Sequence, residues 1–286
     1  MIDSFACFGS TCTVDIDGAD VADARATLLS WHERFTRFDP ASELSRFNTD
    51  PRAEIPVTPL LARLAAAARW AAELSGGLVD STLLGDLERA GYGESLSTAL
   101  DLREALARAP RRKAARPAPE PPAIDVDFER LTVRRAPGLR LDSGGLAKGV
   151  FADALAETLA GRRAFAVDCA GDLRVGGRAR SVHVRGPFED DLLHTFRLAD
   201  AGVATSGIGR RSWAGPDGRP AHHLLDPATG RPAYTGVVQA TAIAPTALEA
   251  EVRAKAAVLS GPDAAAEWLP HGGLVVCDDA SYLVVT

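Results

Sequence analysis

Two adjacent imidazoles stand at positions 222 and 223 in the run "RPAHHLLDPATGRPA", in a chain that holds only 6 histidines. Three kinds of chemistry suit histidine: metal ligation, proton transfer, and a structural hydrogen bond in a turn. A zinc site asks for histidines three or four residues apart on a helix, or for further ligands close by. Neighbours on an extended chain point to opposite faces, so a given pocket receives at most one of the two rings. That spacing disfavours a two-histidine metal site. It leaves a single general base, with an ordinary pKa of about 6.5, or a hydrogen-bonded loop residue.

A second stretch, "LDSGGLAKGVFAD", sets Gly144 and Gly145 at the mouth of a helix with Lys148 in its first turns. Backbone amides there can approach an anion closely, the helix dipole favours negative charge, and the lysine adds a cation. The stretch is neither a Walker loop nor a GxGxxG fingerprint. Read locally, a glycine turn with a surface lysine accounts for it equally well. "AVDCAGDLRVGG" ends a strand in a glycine turn carrying Asp172, and reads as a turn. "SGIGRRSW" places Gly207 and Gly209 before two arginines that serve a phosphate or are simply solvated. In "EAEVRAK", Glu249 with Arg253 and Glu251 with Lys255 are each four apart, helix pairs worth about 0.3–0.5 kcal/mol apiece. Leu248, Val252, Ala256 and Leu259 lie near the same faces, so at least one of these pairs borders the core.

The elements that position these residues follow from periodicity. "STCTVDID" alternates as a strand, and "DVADARATLLSWHERFTRF" sets Val21, Ala24, Leu28, Trp31 and Phe35 on one helical face. Ser42 caps a short helix in "FDPASELSRFN". A longer helix runs from Thr58-Pro59 to the Gly76-Gly77 stop. "TALDLREALARAPRRKAARPAPEPP" begins as a helix and ends as a Pro-rich surface loop or linker near residues 110–122. "AIDVDFERLTVRRAPGLRLD" and "GGLVVCDDASYLVVT" read as hairpins, and "SVHVRG", "HTFRLAD" and "GVATSG" as short strands. Thr246 with Glu249 forms a capping box for "TALEAEVRAKAAVLS", closed by Gly261-Pro262. Strands broken by helices, with two hairpins, indicate an α+β fold of mixed, mostly antiparallel sheets with packed helices, in a single domain over 1–286.

The 286 residues are 46% hydrophobic, enough for a substantial core, and the net charge of -6 argues against a nucleic-acid binder. The N-terminus lacks a basic start followed by an apolar run, and no segment has the length of a membrane span. Cys7, Cys12, Cys169 and Cys277 show no CxxC or zinc-type spacing and read as thiols of a reducing cytoplasm. The expectation is a cytoplasmic protein that meets neither membrane nor nucleic acid.

Taken in order, "FGST", "FTRFDPASELSRFN", "GGLVD", "LDSGGLAKGVFAD", "VDCAGDLRVGG", "ATSG", "HHLLDPATGRP" and "ATAIAPTALEAEV" resemble the ApbE family, the FAD:protein FMN transferases. The resemblance spans nearly the whole chain and implies a T-fold-related architecture. It also implies an activity: FMN moves from FAD to a threonine or serine hydroxyl of a target flavoprotein carrying a Ser/Thr-Gly-Ala-Ser/Thr-type motif, and AMP is released. His223 matches the catalytic histidine of the family, with His222 facing away and Asp226 shaping the loop. Phe8 and Phe38 fall where the family lines the flavin pocket, usually with methionine and tyrosine. Leu78, Val79 and Asp80 match the stretch that holds the cofactor, valine replacing a phenylalanine. Asp142, Lys148 and Leu224 match further FAD contacts.

The resemblance also implies a magnesium ion, with an oxygen from position 145 and two ligands on the last helix, usually an aspartate and, one turn later, a threonine. Here those positions are Gly145, which offers only its carbonyl, Glu251 and Lys255. Glutamate still suits a hard cation, but an ammonium has only donors. The expectation is that Lys255 occupies the place of the ion beside the FAD pyrophosphate, held by Glu251; the alternative is that it swings to solvent and magnesium binds weakly. Hydrolysis of FAD to FMN and AMP, and flavin binding without catalysis, are the competing functions.

Overall fold

A computed structural model describes residues 1–94 and 99–286. Thr98, with which the sequence reading begins a helix, lies outside the described residues. The helices are α1 (Ala22–Phe35), α2 (Glu43–Thr49), α3 (Pro59–Leu74), α4 (Leu84–Arg89), α5 (Leu102–Ala107), α6 (Ala147–Thr158) and α7 (Ala247–Ser260).

An eight-stranded sheet runs in the spatial order Ile2–Cys7, Ser10–Ile16, Ala164–Cys169, Asp172–Gly177, Ala201–Gly207, Val237–Ala244, Gly273–Cys277, Tyr282–Val285. Every neighbouring pair is antiparallel. The α+β expectation holds. Antiparallel pairing needs only short connections, which is why so many of these strands are joined by hairpins. All eight residues of Val237–Ala244 are buried, because α7 packs on the strand and Gln239 Nε2, at its side, reaches the Arg185 carbonyl of the Arg180–Leu198 hairpin at 2.8 Å. Ile124–Asp127 and Thr132–Arg135 form the expected hairpin, and Glu54–Pro56 adds a third strand to it.

Helix ends follow the sequence closely. Ser42 Oγ accepts from Ser45 N at 3.0 Å, and Thr58 Oγ1 accepts from Leu61 N at 3.4 Å. Thr246 Oγ1 accepts from Glu249 N at 3.1 Å, but only this half of the capping box forms. The Glu249 carboxylate turns instead to Arg253 at 2.8 Å. The other free amides at the start of α7 are taken by Asp153, whose two carboxylate oxygens accept from Ala247 N and Leu248 N, each at 2.9 Å. Asp153 lies on α6, so one helix caps the other and fixes their crossing. At that crossing stands Gly149, where a Cβ would come within 2.7 Å of Leu248 Cα. Only a glycine lets the two backbones approach this far.

The Pro-rich segment is not a free linker. Lys113 N donates to Tyr234 O at 2.9 Å, Ala115 N to Leu259 O at 2.8 Å, and Ala118 N to Gly77 O at 3.0 Å. These bonds tie it as a strap across the end of α7. No helix among the described residues is long and apolar enough to cross a membrane.

Candidate active site

A cleft of about 470 Å³ collects residues from seven separate stretches of the chain. Of the positions singled out above, Phe8, Phe38, Leu78, Val79, Asp80, Asp142, Gly145, Lys148, His223, Leu224 and Lys255 all line it. Glu251 does not. It lies fully buried behind the wall, where it holds the lysines rather than facing a ligand.

The aromatic end is built first. Phe8 and Gly9 form the turn between the first two strands, with φ of 53° and 69°, the left-handed conformation of a tight hairpin turn that phenylalanine adopts only under constraint. Two contacts supply it: Arg211 Nη2 donates to the Phe8 carbonyl at 3.1 Å, and the ring packs on Phe151 with centroids 5.5 Å apart. Opposite, the Arg37 guanidinium lies 4.4 Å from the ring centroids of both Phe38 and Tyr92. Phe38 is 41% exposed, an uncovered flat face suited to a stacked heterocycle.

The charged end is built by α6 and α7. Lys255 Nζ donates to Glu251 Oε1 at 2.7 Å, and Lys148 Nζ lies 3.7 Å from the same oxygen. Gly149 N donates to Glu251 Oε2 at 2.9 Å. Lys148 also donates to Asp172 Oδ2, while Asp172 Oδ1 is buried without a partner. Four ionisable side chains thus meet in a buried space, tolerable only because two amines face two carboxyls. Burial pushes the Glu251 carboxyl up, but Lys255 and Lys148 more than offset this and hold it below the usual glutamate range. Burial, with Glu251 beside it, raises Asp172 to about 7 against the pull of Lys148.

Asp172 is therefore more than a turn residue. The turn itself is Ala170-Gly171, both at positive φ, and Asp172 opens the next strand opposite Cys169. Arg37 and Tyr92 are cleft residues that were not anticipated, and Arg211, left between a phosphate contact and a solvated side chain, lines the cleft. For Arg211 the signal was its place after "SGIG"; for Asp172 it was an acid following a Gly turn directly after a buried strand.

The two histidines separate as their alternation requires. His222 is 1% exposed, packs edge-on to Tyr234 at 4.7 Å, and takes a hydrogen bond from Leu224 N on Nδ1 at 3.3 Å. His223 faces the cleft, with its Nδ1 unpaired. Burial, then the nearby cations Arg211 and Lys255, hold the His223 ring well below 6.5, so the ring is neutral there. Asp226 shapes the loop: its Oδ1 accepts from Ala228 N at 3.0 Å and Arg116 N at 3.2 Å.

His222 carries a pH consequence. Burial lowers its pKa to about 3, so below pH ~6.5 the unfolded chain binds a proton here that the folded chain refuses until about 3. Stability from this ring is lost as pH falls through that window. Urea melts at pH 7 and pH 4.5 are expected to show a larger loss for the native protein than for His222→Phe.

The residues do not fit a magnesium ion. Magnesium takes about six oxygen ligands in octahedral array. Both Glu251 oxygens already accept from protein donors, Lys255 and Lys148 bring positive charge, and no group of three or more His, Cys, Asp or Glu converges among the described residues.

The ApbE family model matches residues 8–277. The chain belongs to the ApbE family. Among solved structures, the ApbE protein of Thermotoga maritima superposes with a TM-score of 0.78 at 24% identity, covering 100% of this chain and 96% of that one. The flavinyl transferase ApbE of Pseudomonas stutzeri, in its apo form, gives 0.74 at 23% identity, covering 100% and 93%. At these identities the two establish the ApbE fold. The FAD:protein FMN transferase of Escherichia coli K12 is 30% identical over 162 residues, which are 54% of this chain and 46% of that protein. The Haemophilus influenzae protein of the same name is 25% identical over 285 residues, 91% of this chain and 76% of that protein. The match to the Escherichia coli protein thus spans less than half the length of that relative.

Proposed function

We propose that this ApbE-family chain is an FAD:protein FMN transferase, acting as one domain over residues 1–286. The observation that carries the reading is a neutral histidine, His223, facing the same cleft as Lys148, Lys255 and Arg211, with Phe38 and Tyr92 at its far end. Cations beside an aromatic wall suit a ligand that is part heterocycle and part phosphate, as FAD is.

In this reading the hydroxyl oxygen of a threonine or serine on the acceptor attacks the phosphorus of the FMN half. A new P–O bond forms, the bond from that phosphorus to the bridging oxygen breaks, and AMP leaves with the bridging oxygen and its electron pair. His223 takes the hydroxyl proton. Its ring is a weak base in the free protein because it is buried and, to a lesser degree, because Arg211 and Lys255 stand near it; the negative pyrophosphate offsets those charges and raises its basicity when the substrate is seated. Lys148, Lys255 and Arg211 stabilise the charge that gathers on the phosphate oxygens. Phe38 and Tyr92 take a flat ring, and Leu78, Val79, Asp80, Asp142, Gly145 and Leu224 complete the walls.

The acceptor we propose is a flavoprotein carrying the Ser/Thr-Gly-Ala-Ser/Thr-type motif. A reducing compartment such as the cytoplasm suits the thiols of Cys7, Cys12 and Cys169, which are free, buried and in mutual contact. The test incubates the protein with FAD and an acceptor domain bearing the motif, and reads covalent flavin fluorescence in a denaturing gel together with released AMP. Labelled acceptor with stoichiometric AMP is the expected result. AMP and FMN without labelling would replace the transferase with a hydrolase.

A further inference from the structure

We propose that Lys255 does in this chain the work of a divalent cation, so that the FAD pyrophosphate is bound and turned over without metal; the inference rests on the reading of the cleft as an FAD site. The geometry gives the first argument. Lys255 is 6% exposed, and that remnant opens on the cleft. One of its three N–H donors goes to Glu251 Oε1, and no second acceptor is recorded among the described residues, which leaves two donors for a ligand oxygen. Glu251 is fixed in turn by Gly149 N from the facing helix, so the ammonium is held in place as a bound ion would be.

Composition gives the second, independent argument. The chain has 32 basic residues, of which only Lys113, Lys148 and Lys255 are lysine; the other 29 are arginine. Two of three lysines in an arginine-rich chain stand within reach of one buried carboxylate. An ammonium is a compact point charge that any phosphate oxygen can approach, whereas a guanidinium is a broad planar fork. A site that needs a small, dense positive charge in a closed space selects lysine against the habit of the rest of the chain.

Charge balance gives the third. Lys148 and Lys255 are matched by Asp172 and Glu251, and Asp142 faces Arg37 at 3.6 Å. Arg210 and Arg211 remain on the cleft wall to meet an anion. The pocket is already poised for the negative charge of a pyrophosphate, and an added dication would meet repulsion from both ammoniums.

The test titrates FAD into the full chain, followed by flavin fluorescence, with EDTA or with excess magnesium, and runs acceptor labelling in parallel. Native affinity is expected to be the same in both. Lys255→Thr is expected to weaken binding in EDTA by roughly 10- to 100-fold, the loss of charge-assisted hydrogen bonds, and magnesium is expected to restore part of it through the hydroxyl and Glu251. Lys113→Thr, at a lysine that does not line the cleft, serves as the control for a simple loss of lysine, and thermal melts confirm that the variants are folded. A loss that magnesium leaves untouched would point to packing alone and overturn the proposal. So would native binding or labelling that needs magnesium, though that outcome leaves the transferase standing. Metal-independent FAD binding with no labelling in either condition sinks the transferase and keeps the role of Lys255. FAD failing to bind in either condition overturns both.

Discussion

His223→Ala is expected to lower FMN transfer by about 10²–10⁴-fold, the usual worth of a positioned general base, with a far smaller effect on FAD affinity. The ring stands at the cleft wall and is not the cation that meets the phosphates, so its removal acts on the chemical step. Single-turnover labelling separates this from a binding defect: a loss confined to FAD affinity would assign the proton transfer elsewhere. The pH profile adds a second check. Because burial and the nearby Arg211 and Lys255 charges depress the ring, it remains unprotonated as pH falls through 6.5, the region where an ordinary histidine would gain its proton. The acidic limb of kcat/KM from this group is therefore expected below that value, and an acidic limb centred near 6.5 would show that the ring is not held as described.

The second large effect is on stability. Glu251→Gln removes one of two carboxylates from a buried set of four charges, leaving Lys148 and Lys255 with Asp172 alone. Breaking a buried pair from one side costs about 3–5 kcal/mol, and for a chain of this size that is a fall in Tm of roughly 6–15 °C. Glu249→Gln, on the same helix but in the part-exposed pair with Arg253, is expected to lose no more than about 1 kcal/mol. Thermal melts of the two variants side by side make the comparison, and equal melting points would refute the buried-charge account. Loss of the Glu251 charge also removes one cause of the raised Asp172 pKa, so Asp172 in this variant ionises at lower pH.

Much of this was legible in the sequence because it is local. The caps Ser42, Thr58 and Thr246 and the stop at Gly261 depend on residues three or four apart, and they stand where spacing puts them. The alternation that sends His222 inward and His223 to the cleft is likewise a property of adjacent residues. Val237–Ala244 was not legible as a strand: a run buried on both faces has no period, so nothing in "VVQATAIA" separates strand from helix. The first strand, Ile2–Cys7, is an edge whose partner decides it. Asp172 was read as an ordinary turn residue and Arg211 was left between a phosphate contact and a solvated side chain, because their partners, Lys148 and the Phe8 carbonyl, are 24 and 203 residues away. Lys148 and one of the two histidines were singled out by local features, but the other cleft residues were found only through the family pattern, since a cleft is made by distant segments meeting. Glu251 and Lys255, four apart on one helix, make the contact their spacing allows, but that the pair lies with Glu251 behind the cleft wall and Lys255 on it follows from the packing of α6 against α7.

The bond from Gly149 to Glu251 joins residues 102 positions apart, so the site draws at once on distant stretches of one domain. A domain folds as a unit, and without Glu251 Lys148 has only Asp172 to balance it. The charge balance of the site is therefore completed by α7, and a chain cut short of that helix keeps Lys148 and Asp172 without Glu251 or Lys255. Charge balance at the cleft and completion of the fold arrive together.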